Sequence, residues 1–439
     1  MLSNHKSYAK IALTIIMLLT MLLLAISCRE CPTEPDYDIY LAVEDVACVW
    51  VTLKVTLPDS GKINRFELDR NDSTVAAYTC YDNDTLITDE GLIPDKDYSY
   101  TVRFLKDGKT KAESEPVTVH TMPTTSHNFV WEIDTLGNYG SYLNDVWIID
   151  ENDIWVVGYL RVDDPDSSFD GTGQETFNAA RWDGEKWNLM LIVNPDPLYS
   201  IFYFNENDMW MSNGLPIHWD GNNWTLYHIQ QMGISANVEY GIWGTSSLDI
   251  YFVGRFGSIV HYDGSTFRKI ETDTDVDFRD IDGTPDGKRI YATGYNLRIP
   301  SYSSVFEIKG NSIIRFYFVE NPYQEGTYGY VSAVSVKDHF VYFSTPSGIW
   351  RYDFENKVSS IMNVDEIECG ELIVNDYNDI IGYRGGMGYI HYNGKDWRKE
   401  RYLENHIFSC NGGDYKNGLA VMVGYTPGWQ AVVAKGYHQ

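Results

Sequence analysis

The sequence predicts an all-β chain in two domains, a β-sandwich followed by a seven-bladed β-propeller. Three observations carry this. A heptad centred on a tight turn recurs as Arg181-Trp-Asp-Gly-Glu-Lys-Trp187, His218-Trp-Asp-Gly-Asn-Asn-Trp224, His261-Tyr-Asp-Gly-Ser-Thr-Phe267 and His391-Tyr-Asn-Gly-Lys-Asp-Trp397. Asp-Gly and Asn-Gly are strong hairpin signals, because glycine adopts positive φ without strain and Asp or Asn tolerates it. Around each heptad stand further short apolar runs, giving four strands per pass of about 35–55 residues, the period of propeller blades. Aromatics reach 15% of the chain, and long helix-forming runs are missing.

At 439 residues the chain allows two or three domains. Its start reads as a targeting segment. Lys6 and Lys10 precede a 16-residue run, Ile11 to Ile26, broken only by two threonines. That is short for a membrane span and right for a signal core. The run leads into Leu24-Ala-Ile-Ser-Cys28. Small residues before a cysteine resemble the lipobox of bacterial lipoproteins, with Ala25 where the usual leucine stands. The resemblance implies a signal peptide over 1–27, lipidation at Cys28, a tether over 28–36 and an outer-membrane location in the cell envelope, with an ordinary cleaved signal as the alternative; Glu30, Glu34, Asp36 and Asp38 resemble a surface-export signal, with a plain acidic tether as the alternative.

The net charge of −28 becomes −30 once residues 1–27, with their two lysines and no acids, are removed. Such a chain is a poor partner for nucleic acid, which needs clustered Lys and Arg. It suits an exported, soluble, monomeric body or one that attracts cations. Of the six cysteines, Cys28, Cys31, Cys48, Cys80, Cys369 and Cys410, none shows metal-ligand spacing. Cys369 and Cys410 fall on consecutive repeats and make a disulfide conceivable, with two separate thiols as the alternative.

Residues 37–122 alternate as strands. Val46 to Val55 is one, Phe66 to Arg70 another, and Pro116 to Thr121 the closing one. Between them, Leu92, Pro94, Tyr98, Tyr100 and Val102 occupy the places of a Leu-x-Pro, corner-tyrosine and alternating-strand signature. This stretch resembles a fibronectin type III domain, which implies a spacer or adhesive unit without chemistry.

Residues 127–439 carry the repeats. Seven opening strands are read at Asp145-Val-Trp-Ile, Ser200-Ile-Phe-Tyr, Gly241-Ile-Trp-Gly, Asp280-Ile-Asp-Gly, Ala333-Val-Ser-Val, Glu371-Leu-Ile-Val and His406-Ile-Phe-Ser. A second strand often runs into glycine, as at Gly158, Gly254, Gly294 and Gly424. The last pass lacks a fourth strand, which Phe129-Val-Trp-Glu-Ile-Asp134 can supply, with Trp131 in the place of Trp187. Joining the chain ends in one sheet removes a free edge. The chain as a whole resembles bacterial lipoproteins that combine a fibronectin type III module with a propeller of Trp-Asp-Gly-x-x-Trp hairpins. That resemblance implies binding or scaffolding and brings no active site.

Turns in such a unit alternate sides. The long loops, 161–176, 194–198, 229–240, 271–277, 296–302 and 320–328, all fall on one face. Long irregular loops more often bind something than loops that merely close a hairpin. The candidate ligand-binding residues there are Arg161, Asp164, Tyr240, Arg255, Arg298, Tyr302, Tyr323, Tyr328, Arg384 and Trp429. Flat aromatics beside Arg and Asp suit an extracellular glycan or an envelope protein. Asp163, Asp164, Asp166 and Asp170 could offer oxygens to calcium, although the spacing is not that of an EF-hand; a solvated acidic loop is the plainer alternative. Leu297-Arg-Ile-Pro300 resembles the Arg-Ile-Pro motif of sialidases, but no arginine triad or Tyr–Glu pair accompanies it. No catalytic residue is assigned. The expectation is a non-catalytic binding protein, with a glycan hydrolase or lyase on the same face as the alternative. His218, His261 and His391 share one repeat position, which points to a structural role.

Overall fold

The computed structural model describes residues 38–57, 64–80, 84–106, 108–164, 173–322, 329–362, 370–384, 388–400, 403, 406, 407 and 409–439. The segments expected to be a signal peptide and a tether, with Cys28, lie outside them. The chain forms two units, divided near residue 121.

In the first unit, Tyr40–Val46, Trp50–Thr56 and Asp84–Glu90 form a three-stranded sheet. Asn64–Arg70 lies between Ser73–Cys80 and Asp97–Lys106 in a second sheet, which Lys109–Glu113 and Val117–His120 extend. Strict alternation along Asp97–Lys106 buries Tyr98, Tyr100, Val102 and Phe104. Period-two burial is what one face of a packed sheet demands. The Tyr100 hydroxyl donates to Asp89 at 2.8 Å, and Arg70 reaches the same carboxylate at 2.9 and 3.1 Å. Asp89 belongs to the first sheet and its two donors to the second, so this cluster ties the sheets together.

The second unit contains seven four-stranded antiparallel sheets among the described residues, in chain order at 142–190, 200–226, 241–270, 277–320, 333–362, 371–400 and 409–438. The seventh takes its outer strand from Phe129–Leu136, which pairs with Ala431–His438 from Leu136↔Ala431 to Phe129↔His438. The first strand of each sheet packs beside the first strand of the next, and that of the seventh beside that of the first. The sheets therefore close into a ring around an axis. Apolar clusters fill the junctions; one joins Trp155, Val157 and Ala179 of the first sheet to Ile201, Met209 and Met211 of the second. The heptad hairpins pair aromatics across the outer two strands, Trp182 with Trp187, Trp219 with Trp224, Tyr262 with Phe267 and Tyr392 with Trp397.

One correction concerns the seventh sheet. Its first strand is Ser409–Lys416, not 406–409. The sequence Asn411-Gly-Gly-Asp414 looks like a turn but is extended, because its glycines serve close approach. A Cβ on Gly413 would stand 2.6 Å from the Tyr383 ring. The glycine that ends a second strand has a similar cause. At Gly294 a Cβ would stand 2.7 Å from the Asp277 carbonyl of the neighbouring strand.

The shared histidine position is structural. His218, His261 and His391 bond through Nε2 to Asp208, Asp249 and Asp379, at 3.0, 2.8 and 2.9 Å, each acid opening the second strand of the same sheet. The imidazoles of His218 and His261 stack at 4.2 Å on Trp210 and Tyr251. In the first sheet Arg181 takes the place of histidine and grips Asp153 with two bonds, at 2.7 and 2.6 Å. In the fourth sheet the charges are exchanged, with Arg289 just before the second strand and Glu307 on the third. These five sheets thus keep a polar pair across the middle strands while changing the residues that make it.

Candidate ligand-binding face and axial channel

Long connections and short turns segregate on the ring. Segments 191–199, 227–240 and 271–276 lead into first strands, and 297–301 and 426–430 join second to third strands. All of these lie on one face. Opposite them are turns such as 151–152, 206–207, 220–223 and 417–418.

The axis is an open channel of about 700 Å³, lined by the starts of the seven first strands. Its wall is acidic. Asp145 accepts the amide of Val146 at 2.8 Å and that of Ile201, in the second sheet, at 2.9 Å. Asp280 spans Ile281 and Val334 at 2.8 Å each, and Asp282 spans Gly283 and Val336 at 2.8 and 2.7 Å. Asp414 closes the ring by joining Tyr415 to Ile148 of the first sheet, at 2.8 and 2.7 Å. Each carboxylate therefore pins one sheet to the next. Protein encloses these groups, yet they stay partly open to the lumen. Burial raises Asp145 to about 7, Asp280 to about 6 and Asp282 to about 7, while the backbone amides pull the other way. Glu371 is pushed well up by burial and by the charges of Asp280 and Asp145. With both oxygens of Asp145 and Asp280 engaged by amides, the arrangement is a set of sheet-to-sheet pins rather than an acid and base poised over a substrate.

The channel mouth opens on the long-loop face and is aromatic. Arg279 lies 4.2 Å from the Tyr240 ring centroid and 5.2 Å from that of Tyr295, and pairs with Asp277 at 3.3 Å. Tyr295 packs against Tyr330 at 5.3 Å. Burial lifts the Tyr240 phenol to about 12, so it stays protonated. Neither Arg279 nor the lumen acids were singled out from sequence. The signal available was Asp145, Asp280 and Glu371 at the head of three equivalent strands.

The residues expected from sequence divide into small groups. Arg255 forms an ion pair with Glu239 and lies 5.6 Å from the Tyr240 ring, so these two join the mouth. Arg161 and Trp429 both meet the 137–141 loop: the Arg161 side chain borders Gly140, whose amide donates to the Trp429 carbonyl at 2.8 Å. Trp429 also stacks on Tyr425 at 4.7 Å. Arg298 covers Phe256 at 5.0 Å. Tyr302 turns toward Phe318 of the outer strand, 6.1 Å away, and joins none of these groups. The Asp164 amide donates to Gly173 at the base of its loop. Asp166, Asp170, Tyr323 and Tyr328 lie outside the described residues, as does the side chain of Arg384. Asp163 is exposed and accepts from Gln174 at 3.4 Å. Among the described residues no group of three or more His, Cys, Asp or Glu is placed to hold a metal ion. Cys410 is a free thiol, not half of a disulfide: its Sγ faces the Gly412 carbonyl at 3.6 Å, and burial pushes its pKa up. Cys369 lies outside the described residues.

No family model matches this sequence, and no curated protein matches it either. Solved structures do. The structure described as "YCF48 bound to D1 peptide" superposes with a TM-score of 0.52 at 13% identity, covering 72% of this chain and 99% of that one. The WD40 β-propeller domain of Doa1 follows with a TM-score of 0.49 at 11% identity, covering 71% and 98%. At such identities the likeness speaks for fold. The chain is all-β, and its second unit is a β-propeller.

Proposed function

We propose that this chain is a non-catalytic binding protein whose long-loop face docks a protein partner. One observation carries the reading. The exposed large apolar side chains Tyr139, Leu191, Val193, Met232, Phe256, Leu297, Ile299 and Trp429 all stand in loops of that face. In the described turns of the opposite face, Leu248 is the one counterpart. Apolar groups gathered on one face, beside Arg and Tyr, are the composition of a protein interface. A glycan would ask instead for a polar groove with an open aromatic platform, whereas the aromatics at the mouth are occupied by Arg279 and Arg255. YCF48, a propeller solved with a bound D1 peptide, supports a peptide-binding use of this fold.

The propeller is read as seven-bladed and closed by the strand at 129–136, and residues 37–122 as a fibronectin type III-like spacer. A lipid anchor at Cys28 would hold both at the cell envelope. A photo-crosslinking amino acid placed at Ile299 in the full chain, in cells, tests the docking face. Adducts of defined mass are expected at Ile299 and not at Leu248. Adducts at both, or at Leu248 alone, would remove the reading.

A further inference from the structure

We propose that His127, His391 and His438 form a proton-operated latch, which fastens the segment before the closing strand Phe129–Leu136 and releases it as pH rises. The three rings come from that segment, from the third strand of the sixth sheet and from the third strand of the seventh. Six polar contacts link them. His127 meets Asp396 through Nε2 at 3.0 Å, and its Nδ1 meets the Nδ1 of His391 at 2.9 Å. His391 meets Asp379 through Nε2 at 2.9 Å. The Tyr415 hydroxyl meets the other Asp379 oxygen at 2.8 Å and His438 Nδ1 at 3.0 Å. His438 Nε2 faces the Ser126 carbonyl.

The proton count sets the charge. Each contact needs one proton between its two heavy atoms, so six are required. Three neutral imidazoles and one phenol supply four between them, and the network is complete only with two more, on two imidazolium rings. Asp379 and Asp396 balance both charges. Neither acid is a good place for the added protons. Burial opposes the charge of Asp379, yet bonds from His391, Tyr415 and Asn375 hold it below its usual range, and the Asp396 side chain is 63% exposed. Burial pushes His391 down, so it stays neutral, donating from Nε2 and accepting at Nδ1. The added protons therefore fall to His127 and His438. Phe129, first in the closing strand, lies flat on the His438 ring at 4.5 Å, and an aromatic face attracts a cation. Tyr389 stands edge-on behind Phe129.

These protons hold Ser126 and His127 in place. With one N–H, His127 bonds His391 or Asp396 but not both. His438 likewise donates to Tyr415 or to the Ser126 carbonyl, and Tyr415 has a single proton to offer. The neighbouring ties contain no titrating group: Thr125 bonds the carbonyls of Asn378 and Asn393, and the Gln439 amide bonds that of Asn128. Deprotonation thus loosens the segment without detaching it. The folded network holds protons that neutral rings do not, so its contribution is full at low pH and lost as pH rises.

Hydrogen exchange of the full chain, read as protection over the intrinsic rate, tests the latch at about pH 5 and about pH 8, which bracket the charge change of histidine. Protection over 123–130 is expected to fall about tenfold or more at the higher pH, the loss of a hydrogen bond to a charged group. Over 206–212, in the second sheet, the fall should be smaller. The excess should vanish when His127→Gln and His438→Gln are combined. Nitrogen NMR of the histidine-labelled chain at the lower pH should find two N–H groups in His127 and in His438 and one in His391. A neutral His127 or His438 at that pH, a fall over 123–130 no larger than over 206–212, or an excess that survives in the double variant would overturn the proposal. The wild-type exchange comparison needs no variant, so a destabilised double variant leaves the test decisive.

Discussion

On one face of the propeller the chain turns around in a few residues, mostly with Asp, Asn and Gly, and nearly every polar side chain there has a local partner. Asp183, Asp220 and Asp263 each cap their own hairpin by accepting backbone amides. On the other face the connections are long, no two are alike, and apolar side chains stand in water. Ile299 is 100% exposed there. The same seven units build both faces. What recurs, the capped turns and the cross-strand polar pairs, is what the sheets need in order to fold. What differs, the loops and the rings of residues at the channel mouth, is free of that demand and available for binding.

Breaking the repeated part should cost stability in proportion to burial. The largest effect is expected at Asp379, which is buried and receives bonds from His391, the Tyr415 hydroxyl and Asn375. Although burial opposes its charge, these donors hold Asp379 below its usual range, while burial keeps His391 low and neutral. Asp379→Ala strips three donors of their acceptor and should lower stability by about 3–5 kcal/mol, read from the denaturant midpoint. A loss under ~1 kcal/mol would show that the pair is decoration. Next comes Gly413→Ala, whose added methyl meets the Tyr383 ring. Overpacking there should cost about 1–3 kcal/mol and lower the melting temperature.

The lumen acids predict a dependence on pH. Asp145, Asp280 and Asp282 titrate near 6–7 in the folded chain and about 4 when unfolded. The folded state keeps its protons longer, so the stability they supply is full below about pH 4 and lost as pH rises through 6–7. The denaturant midpoint at pH 8 should therefore lie below that at pH 5. Water in the lumen screens these charges, so the difference should be on the order of 1 kcal/mol. Equal midpoints, or a higher one at pH 8, would mean that the acids ionise freely. The smallest effect is expected for Arg181→Ala. That ion pair stands where the other sheets place a histidine–aspartate bond, but it is largely in solvent and should contribute under about 1 kcal/mol.

The hairpins were legible in the sequence because their chemistry is local. Asp183-Gly184 and Asn393-Gly394 carry their turns in the residues themselves, and glycine φ values of 90° and 93° are what such turns require. The structural role of His218, His261 and His391 was legible because it repeats. The channel was harder to read. Asp145, Asp280 and Glu371 lie on three different sheets, far apart in the chain, and only ring closure brings them to one lumen. Tyr383 looks in the sequence like one more aromatic in a β-strand; its packing across the ring depends on Gly413, in a stretch whose residues read locally as a turn. Among the loop residues, Tyr240 and Arg255 do meet at the mouth, whereas Tyr302 turns to the outer strand.

If the varied face is the working surface, a single charge placed on it should disturb binding while the same charge on the repeated face should not. Once cross-linking at Ile299 has supplied a partner, its affinity is to be measured for full chains carrying Ile299→Asp or Leu248→Asp. Both substitutions put a charge in place of an exposed aliphatic group, one on each face. A loss of about tenfold or more for Ile299→Asp, with Leu248→Asp unchanged, is the expected outcome. Unchanged affinity for Ile299→Asp, or a loss confined to Leu248→Asp, would contradict it.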